Sequence, residues 1–118
     1  RAHSHLEVAR AEAALRSARA FYYQSIEAAW LVAEAGEKVS IDQRRDIRLA
    51  TTHAVEASIK TVDAMYTLGG GSAVYADSAL QRHFRDVHMT SQHIMVAPST
   101  LETVGRLYLG VEAQTATL

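Results

Sequence analysis

The 118-residue chain has no cysteine and a single proline, Pro98. Without thiols it cannot build a disulfide frame, a thiolate metal site or a cysteine nucleophile, a composition that fits a reducing cytoplasm. With one proline, nothing of that kind interrupts a long helix before residue 98. Charge of one sign is scarce too: 12 Lys and Arg stand against 13 Asp and Glu, for a net charge of −1, and no basic block could track phosphates over several turns. Nucleic acid is therefore not an expected partner. No apolar run approaches the roughly 18 residues a membrane helix requires, and no charged-then-apolar leader opens the chain. Arg1 stands inside a helical pattern, so the sequence is expected to be one domain of something longer.

What is present is helix-forming sequence. Ala, Glu, Arg and Leu dominate about residues 4–35, with Val8, Leu15, Tyr22 and Ala29 on one seam and Ala11, Ala18, Ile26 and Ala33 broadening it. Gly36 stops this helix. Ser40-Ile41-Asp42-Gln43 has the form of a capping box, in which serine and glutamine side chains satisfy free amides at a helix start. The second helix runs to about residue 68 with two apolar stripes, Ile47, Ala54 and Met65 on one and Val55, Ile59, Val62 and Tyr66 on the other. Such a helix is expected to be central among its neighbours.

Gly69, Gly70 and Gly71 end it, and Ala73-Val74-Tyr75 makes a brief connection. Ser78-Ala79-Leu80-Gln81 predicts a second capping box and a third helix reaching about residue 94. Past Pro98, Ser99-Thr100-Leu101-Glu102 predicts a third box and a short helix, with Leu101, Val104, Leu107 and Tyr108 inward and Gly110 as its stop. Residues 1–112 then form a helical bundle domain, and residues 113–118 a fraying tail. Short connections between the helices predict an all-α, up-and-down bundle. Two long and two short helices are a lean set for covering the second helix on both sides. A missing first bundle helix or another subunit is expected to complete it, with self-association as the consequence.

Each piece of candidate chemistry has a plainer alternative. The glycine run lacks both the preceding strand and the following Gly-Lys-Ser or Gly-Lys-Thr of a nucleoside-triphosphate loop. It reads either as a helix stop with positive φ or as a place where backbone closely approaches a pyrophosphate. Six histidines raise the question of a metal. His3 and His5 are expected in solvent, while His83 and His88, like His88 and His93, are five apart and diverge by more than about 100° on a helix. No Glu stands three residues before a His on two helices, as a di-iron bundle requires, so no metal is expected. His53 is expected to be packed and hydrogen-bonded within the second helix. Arg85 and Asp86 point to different faces, and Arg82 and Arg85 share one, for a phosphate or for solvent. His93 stands apart because it follows Ser91 and Gln92 and precedes the apolar Ile94-Met95-Val96, where the bundle surface begins. An imidazole ordinarily titrates near pH ~6.5, so a ring there can accept or return a proton at neutral pH. A structural, hydrogen-bonded histidine is the alternative.

Taken in order, Leu68-Gly69-Gly70-Gly71-Ser72, Leu80-Gln81-Arg82, Phe84-Arg85-Asp86-Val87-His88 and Gln92-His93 resemble the C-terminal helical domain of the acyl-CoA dehydrogenase superfamily. Upstream, Arg48-Leu49-Ala50-Thr51-Thr52-His53-Ala54 and Val62-Asp63-Ala64-Met65-Tyr66 fit the same pattern, over about residues 5–110. More narrowly, the chain resembles the two-component flavin-dependent monooxygenases that hydroxylate aromatic or heteroaromatic substrates with reduced flavin. The resemblance implies an N-terminal helical domain, a middle β-barrel and this four-helix bundle, assembled as a cytoplasmic homotetramer largely through the bundle. It implies a reduced flavin, FADH2 or FMNH2, shared with the other domains and supplied by a flavin reductase. The flavin's pyrophosphate and adenine end would meet the glycine turn of a neighbouring subunit, here Tyr66, Gly69, Gly70 and Gly71.

Dehydrogenases of the superfamily carry a Gln ahead of this turn, where the chain has Tyr66, and typically a glutamate base about nine residues beyond the Arg of Arg-Asp. That position is Ile94, which cannot remove a proton. The monooxygenase branch has a histidine near this point, and His93 matches it, implying an acid or base role toward the substrate hydroxyl or the flavin's oxygen chemistry. An acyl-CoA dehydrogenase C-terminal domain and a non-catalytic helical self-association module are the alternatives. The discriminator is whether His93 lines a concave pocket with Ser91 or is sealed in a core.

Overall fold

Glycines that adopt positive φ, and one serine cap, set the ends of the elements in this computed structural model, which describes residues 2–71, 78–93, 96–116 and 118. Helix α1 (Ala2–Glu34) stops at Gly36, whose φ of 79° lets Glu37 N–H return to Val32 O at 3.1 Å and Gly36 N–H to Ala33 O at 3.0 Å. Helix α2 (Ile41–Gly69) starts on the expected capping box. Gln43 N–H donates to Ser40 Oγ and Ser40 N–H to Gln43 Oε1, both at 3.1 Å. Helix α3 (Ala79–Thr90) and helix α4 (Thr100–Tyr108) follow. Gly110, at φ 71°, closes α4 as Gly36 closes α1, with Val111 N–H on Arg106 O at 2.9 Å.

The other two capping boxes do not form. Ser78 has extended backbone but its side chain caps nothing, and Gln81 Oε1 is buried without a partner instead of reaching back. Ser99 already has helical dihedrals, φ −60° and ψ −23°, so its hydroxyl is not where a capping residue's must be. Tight three-residue bonds lead into α4 instead, from Thr100 N–H to Ala97 O at 2.9 Å and from Leu101 N–H to Pro98 O at 3.0 Å. Helix α3 also ends earlier than expected, at Thr90, because Ser91 Oγ takes His88 O at 2.6 Å and the next amides make short-range bonds. The connection at 73–75, Ser72 and Ile94 lie outside the described residues.

Helix α2 is the hub, as its two apolar stripes imply, packing against α1, α3 and α4. Asp63 meets His88 and Tyr66 meets Phe84, so α3 runs antiparallel along the second half of α2. Thr52 meets Thr100 and Asp46 meets Tyr108, so α4 runs antiparallel along the first half. The two short helices therefore lie in line, as two segments of one column. The architecture is all-α and up-and-down.

Among the described residues the buried apolar ones are small: Ala18, Ala29, Ala50, Ala57 and Val104, joined by Ser25 and Thr52. The α1 seam is thus rotated from the expected one, with Val8 and Leu15 at 50% and 40% exposure, while Ala18, Ser25 and Ala29 face inward. Small side chains let two helix backbones approach closely, which favours this face over the bulkier one. Tyr23, Trp30 and Leu31 are left outside, at 57%, 65% and 60% exposure. Tyr108, expected inward, is also half exposed, and His53, expected packed, is exposed. The last residues touch the hub helix. Arg44 of α2 donates to Thr115 O at 3.1 Å and Leu118 O at 2.9 Å. None of the described helices is long and apolar enough to cross a membrane.

Candidate functional site

The glycine turn does two things at adjacent positions. Gly70 has φ 60° and ψ −148°, a conformation that strains any other residue, and its N–H is committed to Thr67 O. The helix-stop reading thus holds at Gly70. Gly71 does not need positive φ, is exposed, and an added Cβ there would meet nothing within 4 Å. Nothing within the described chain requires a glycine at 71, which leaves room for an outside group to approach the backbone. With Gly70 N–H already spent, the turn offers a close-approach surface rather than a cradle of amide donors.

Tyr66 is half-buried one turn earlier. Its ring lies 4.4 Å from that of Phe84, tilted by 31°, and Phe84 in turn lies 4.6 Å from the imidazole of His88. His88 Nε2 reaches Asp63 Oδ1 at 2.7 Å. A ladder of Tyr66, Phe84, His88 and Asp63 therefore stitches α2 to α3. Asp63 and His88 are 25 positions apart, so no helical spacing links them in the sequence. The available signal was local: Asp63 interrupts an apolar stripe beside Val62 and Tyr66, and His88 sits four residues beyond Phe84 on one helical face.

His93 is exposed, just beyond α3, with its N–H on Thr90 O at 3.1 Å and its carbonyl accepting from Val96 N–H at 3.1 Å. It is not sealed in a core. The neighbouring Ser91 hydroxyl donates back to His88 O at 2.6 Å. A groove of about 370 Å³ lies between α1, α2 and α3, lined by Tyr22, Thr51, Ala54, Val55, Val87 and Thr90, the last of these three positions before His93. Its walls are mainly apolar, the character expected of a surface that receives carbon-rich groups.

The glycine turn and His93 do not converge. They flank opposite ends of the 12-residue α3, about 18 Å of helix at 1.5 Å per residue. An elongated cofactor and a substrate held side by side, or two separate copies of the site, can use each. At the far end of α2, Arg45 stacks 4.0 Å from the Tyr108 ring and bonds Asp46 at 2.9 Å, while Tyr108 Oη donates to the same carboxylate. The hydrogen bond to Asp46 holds the Arg45 guanidinium above its ordinary range, and this cluster fastens α4 to α2.

Residues 1–98 match the family described as acyl-CoA dehydrogenase, C-terminal domain. The chain belongs to that family. The domain is 38% identical over 105 residues to an indole-3-acetate monooxygenase of Pseudomonas putida, an alignment covering 89% of this chain and 27% of that protein. It is 31% identical over 94 residues to a pigment production hydroxylase of Rhodococcus erythropolis, covering 80% of this chain and 24% of that one. The chain thus spans about a quarter of the length of these relatives. Among solved structures, the 3-HSA hydroxylase of Rhodococcus sp. RHA1 superposes with a TM-score of 0.92 at 20% identity, over all of this chain and 31% of its own. The HsaA monooxygenase of M. tuberculosis gives 0.88 at 19% identity, over 96% of this chain and 30% of its own. At such identity the likeness is one of fold, and the domain's helical arrangement is that of these proteins.

Proposed function

We propose that this domain is the C-terminal part of a cytoplasmic, reduced-flavin-dependent monooxygenase that hydroxylates an aromatic or heteroaromatic substrate and works as a homotetramer beside a separate flavin reductase. The observation that carries the reading is the 38% identity, over most of this chain, with a protein named indole-3-acetate monooxygenase. Position 94 supports it from the side of chemistry. An isoleucine there removes the carboxylate that the dehydrogenase resemblance would require, and the neighbouring His93 is exposed and able to meet a substrate held by another domain.

In this reading Gly71, with Gly69, Gly70 and Tyr66 beside it, receives the phosphate-bearing end of a flavin, FADH2 or FMNH2, bound mainly by other domains. The open space around Gly71 fits such an approach, and the half-buried Tyr66 ring fixes the last turn of α2 through Phe84 rather than reaching out. The bound reduced flavin supplies two electrons to O2, so that one oxygen atom enters the substrate and the other leaves as water. His93 moves the proton, taking it from a substrate hydroxyl or returning one as the oxygen is transferred.

The test is His93→Ala in the intact protein, given chemically reduced flavin and indole-3-acetate or another small aromatic acid. The expected result is normal assembly with hydroxylation reduced by roughly 100-fold or more, the scale of a lost acid or base. Undiminished turnover removes His93 from the mechanism.

A further inference from the structure

We infer that Asp63 and His88 are positioning residues that set where His93 stands, an inference that rests on the acid or base reading of His93. His88 lies on the last turn of α3, and both halves of its route to His93 are fixed. On the side-chain side, its ring is held edge and face, by Asp63 Oδ1 at 2.7 Å and by the Phe84 ring at 4.6 Å. On the main-chain side, its carbonyl accepts from the Ser91 hydroxyl at 2.6 Å, and Gln92 Nε2 donates to Ser91 Oγ at 3.3 Å. Thr90 O then receives His93 N–H, and His93 O receives Val96 N–H. Contacts and the short stretch of backbone between them thus connect the second half of α2, through Asp63 and His88, to the segment that presents His93.

Stability does not account for this pair. The two side chains are 41% and 45% exposed, and exposed ion pairs contribute little to folding. What the pair controls is geometry. A helix end left to itself frays by a residue or two, and here α3 ends three positions before the residue proposed to move a proton. Anchoring the His88 ring to the hub helix stops the last turn from rotating. A carboxylate suits the task because it accepts only, so the nitrogen that faces it is the one carrying the proton, and the ring has one orientation.

The experiment uses the intact protein with supplied reduced flavin and O2, and compares Asp63→Ala, Asp63→Asn, His93→Ala and the Asp63→Ala/His93→Ala double variant. Asp63→Ala is expected to lower kcat roughly 10- to 100-fold, the cost of misplacing a catalytic group by about 1 Å, while KM and oligomeric state stay at wild-type values. Asp63→Asn, whose amide oxygen can still accept from the imidazole, recovers most of that loss. In the His93→Ala background, Asp63→Ala causes no further loss, because both changes act through one group. An unchanged kcat in Asp63→Ala, or the same fold loss with and without His93, overturns the inference. His93→Ala with undiminished turnover sinks the parent reading instead, so the two failures are distinguishable. Where Asp63→Ala does not assemble, His88→Gln and His88→Leu carry the same contrast: the glutamine amide can donate to Asp63 and keeps kcat, and the leucine cannot and loses it. Equal activity in those two also overturns the inference.

Discussion

Tyr108 Oη donates to Asp46 Oδ1 at 2.7 Å, joining the end of α4 to the start of α2 across 62 positions of sequence. Arg45 completes the clasp by bonding the same carboxylate and stacking over the phenol ring. At the other end of α2, Asp63 and His88 make a second polar tie. Between the two ties the buried contacts are mostly alanine, each of which removes little apolar surface from water. Polar ties thus link each short helix to its own half of the hub, beside a core of small side chains.

The clasp has a pH signature. Burial raises the Asp46 carboxyl, but hydrogen bonds from Tyr108 and Arg45 outweigh it and hold the group below its ordinary value of 3.8. A depressed carboxylate adds stability that is present above that value and lost as pH falls from about 4 through the folded value. Tyr108→Phe is expected to cost about 1 kcal/mol at neutral pH, a figure discounted for the half-exposed setting, and less near pH ~2.5. Urea unfolding at the two pH values checks this, and an equal cost at both would contradict the carboxylate as acceptor.

The serines at the helix starts separate formed caps from apparent ones. Ser40→Ala is expected to destabilise by about 1 kcal/mol, because its hydroxyl accepts from Gln43 N–H. Ser78→Ala and Ser99→Ala, whose hydroxyls cap nothing, should stay within about 0.5 kcal/mol of wild type. Denaturation midpoints of the three variants provide the comparison. A cost at Ser99 matching that at Ser40 would mean that the Ser99 hydroxyl caps α4 after all.

How far these features were legible in the sequence depends on how local they are. Gly36, Gly110 and the Ser40–Gln43 box could be read directly, because a cap or a positive-φ stop is decided within five or six residues. The box at Ser99 failed because the turn after Pro98 had already placed that residue in helical backbone. The seam of α1 was displaced because hydrophobic spacing favours Leu15, whereas close packing favours Ala18 and Ser25. For the candidate site, the glycine turn and His93 were visible as motifs, but their separation along α3 was not. The Asp63–His88 pair, built from two helices, had no spacing to betray it.

Exposed apolar side chains predict association. The 12.9 kDa chain studied alone is expected to sediment as an oligomer. Trp30, the sole tryptophan and 65% exposed in the single chain, reports on it directly. Its emission should shift to the blue as concentration rises and the α1 face is covered. A monomer with water-exposed emission at all concentrations would show that this face does not meet a second copy.

The most direct measurement follows the oxygen. The intact protein, with chemically reduced flavin, 18O2 and a small aromatic acid, should yield product carrying one 18O atom, with the second atom in water. Product without 18O, or two-electron oxidation of an acyl thioester in place of hydroxylation, would contradict the account.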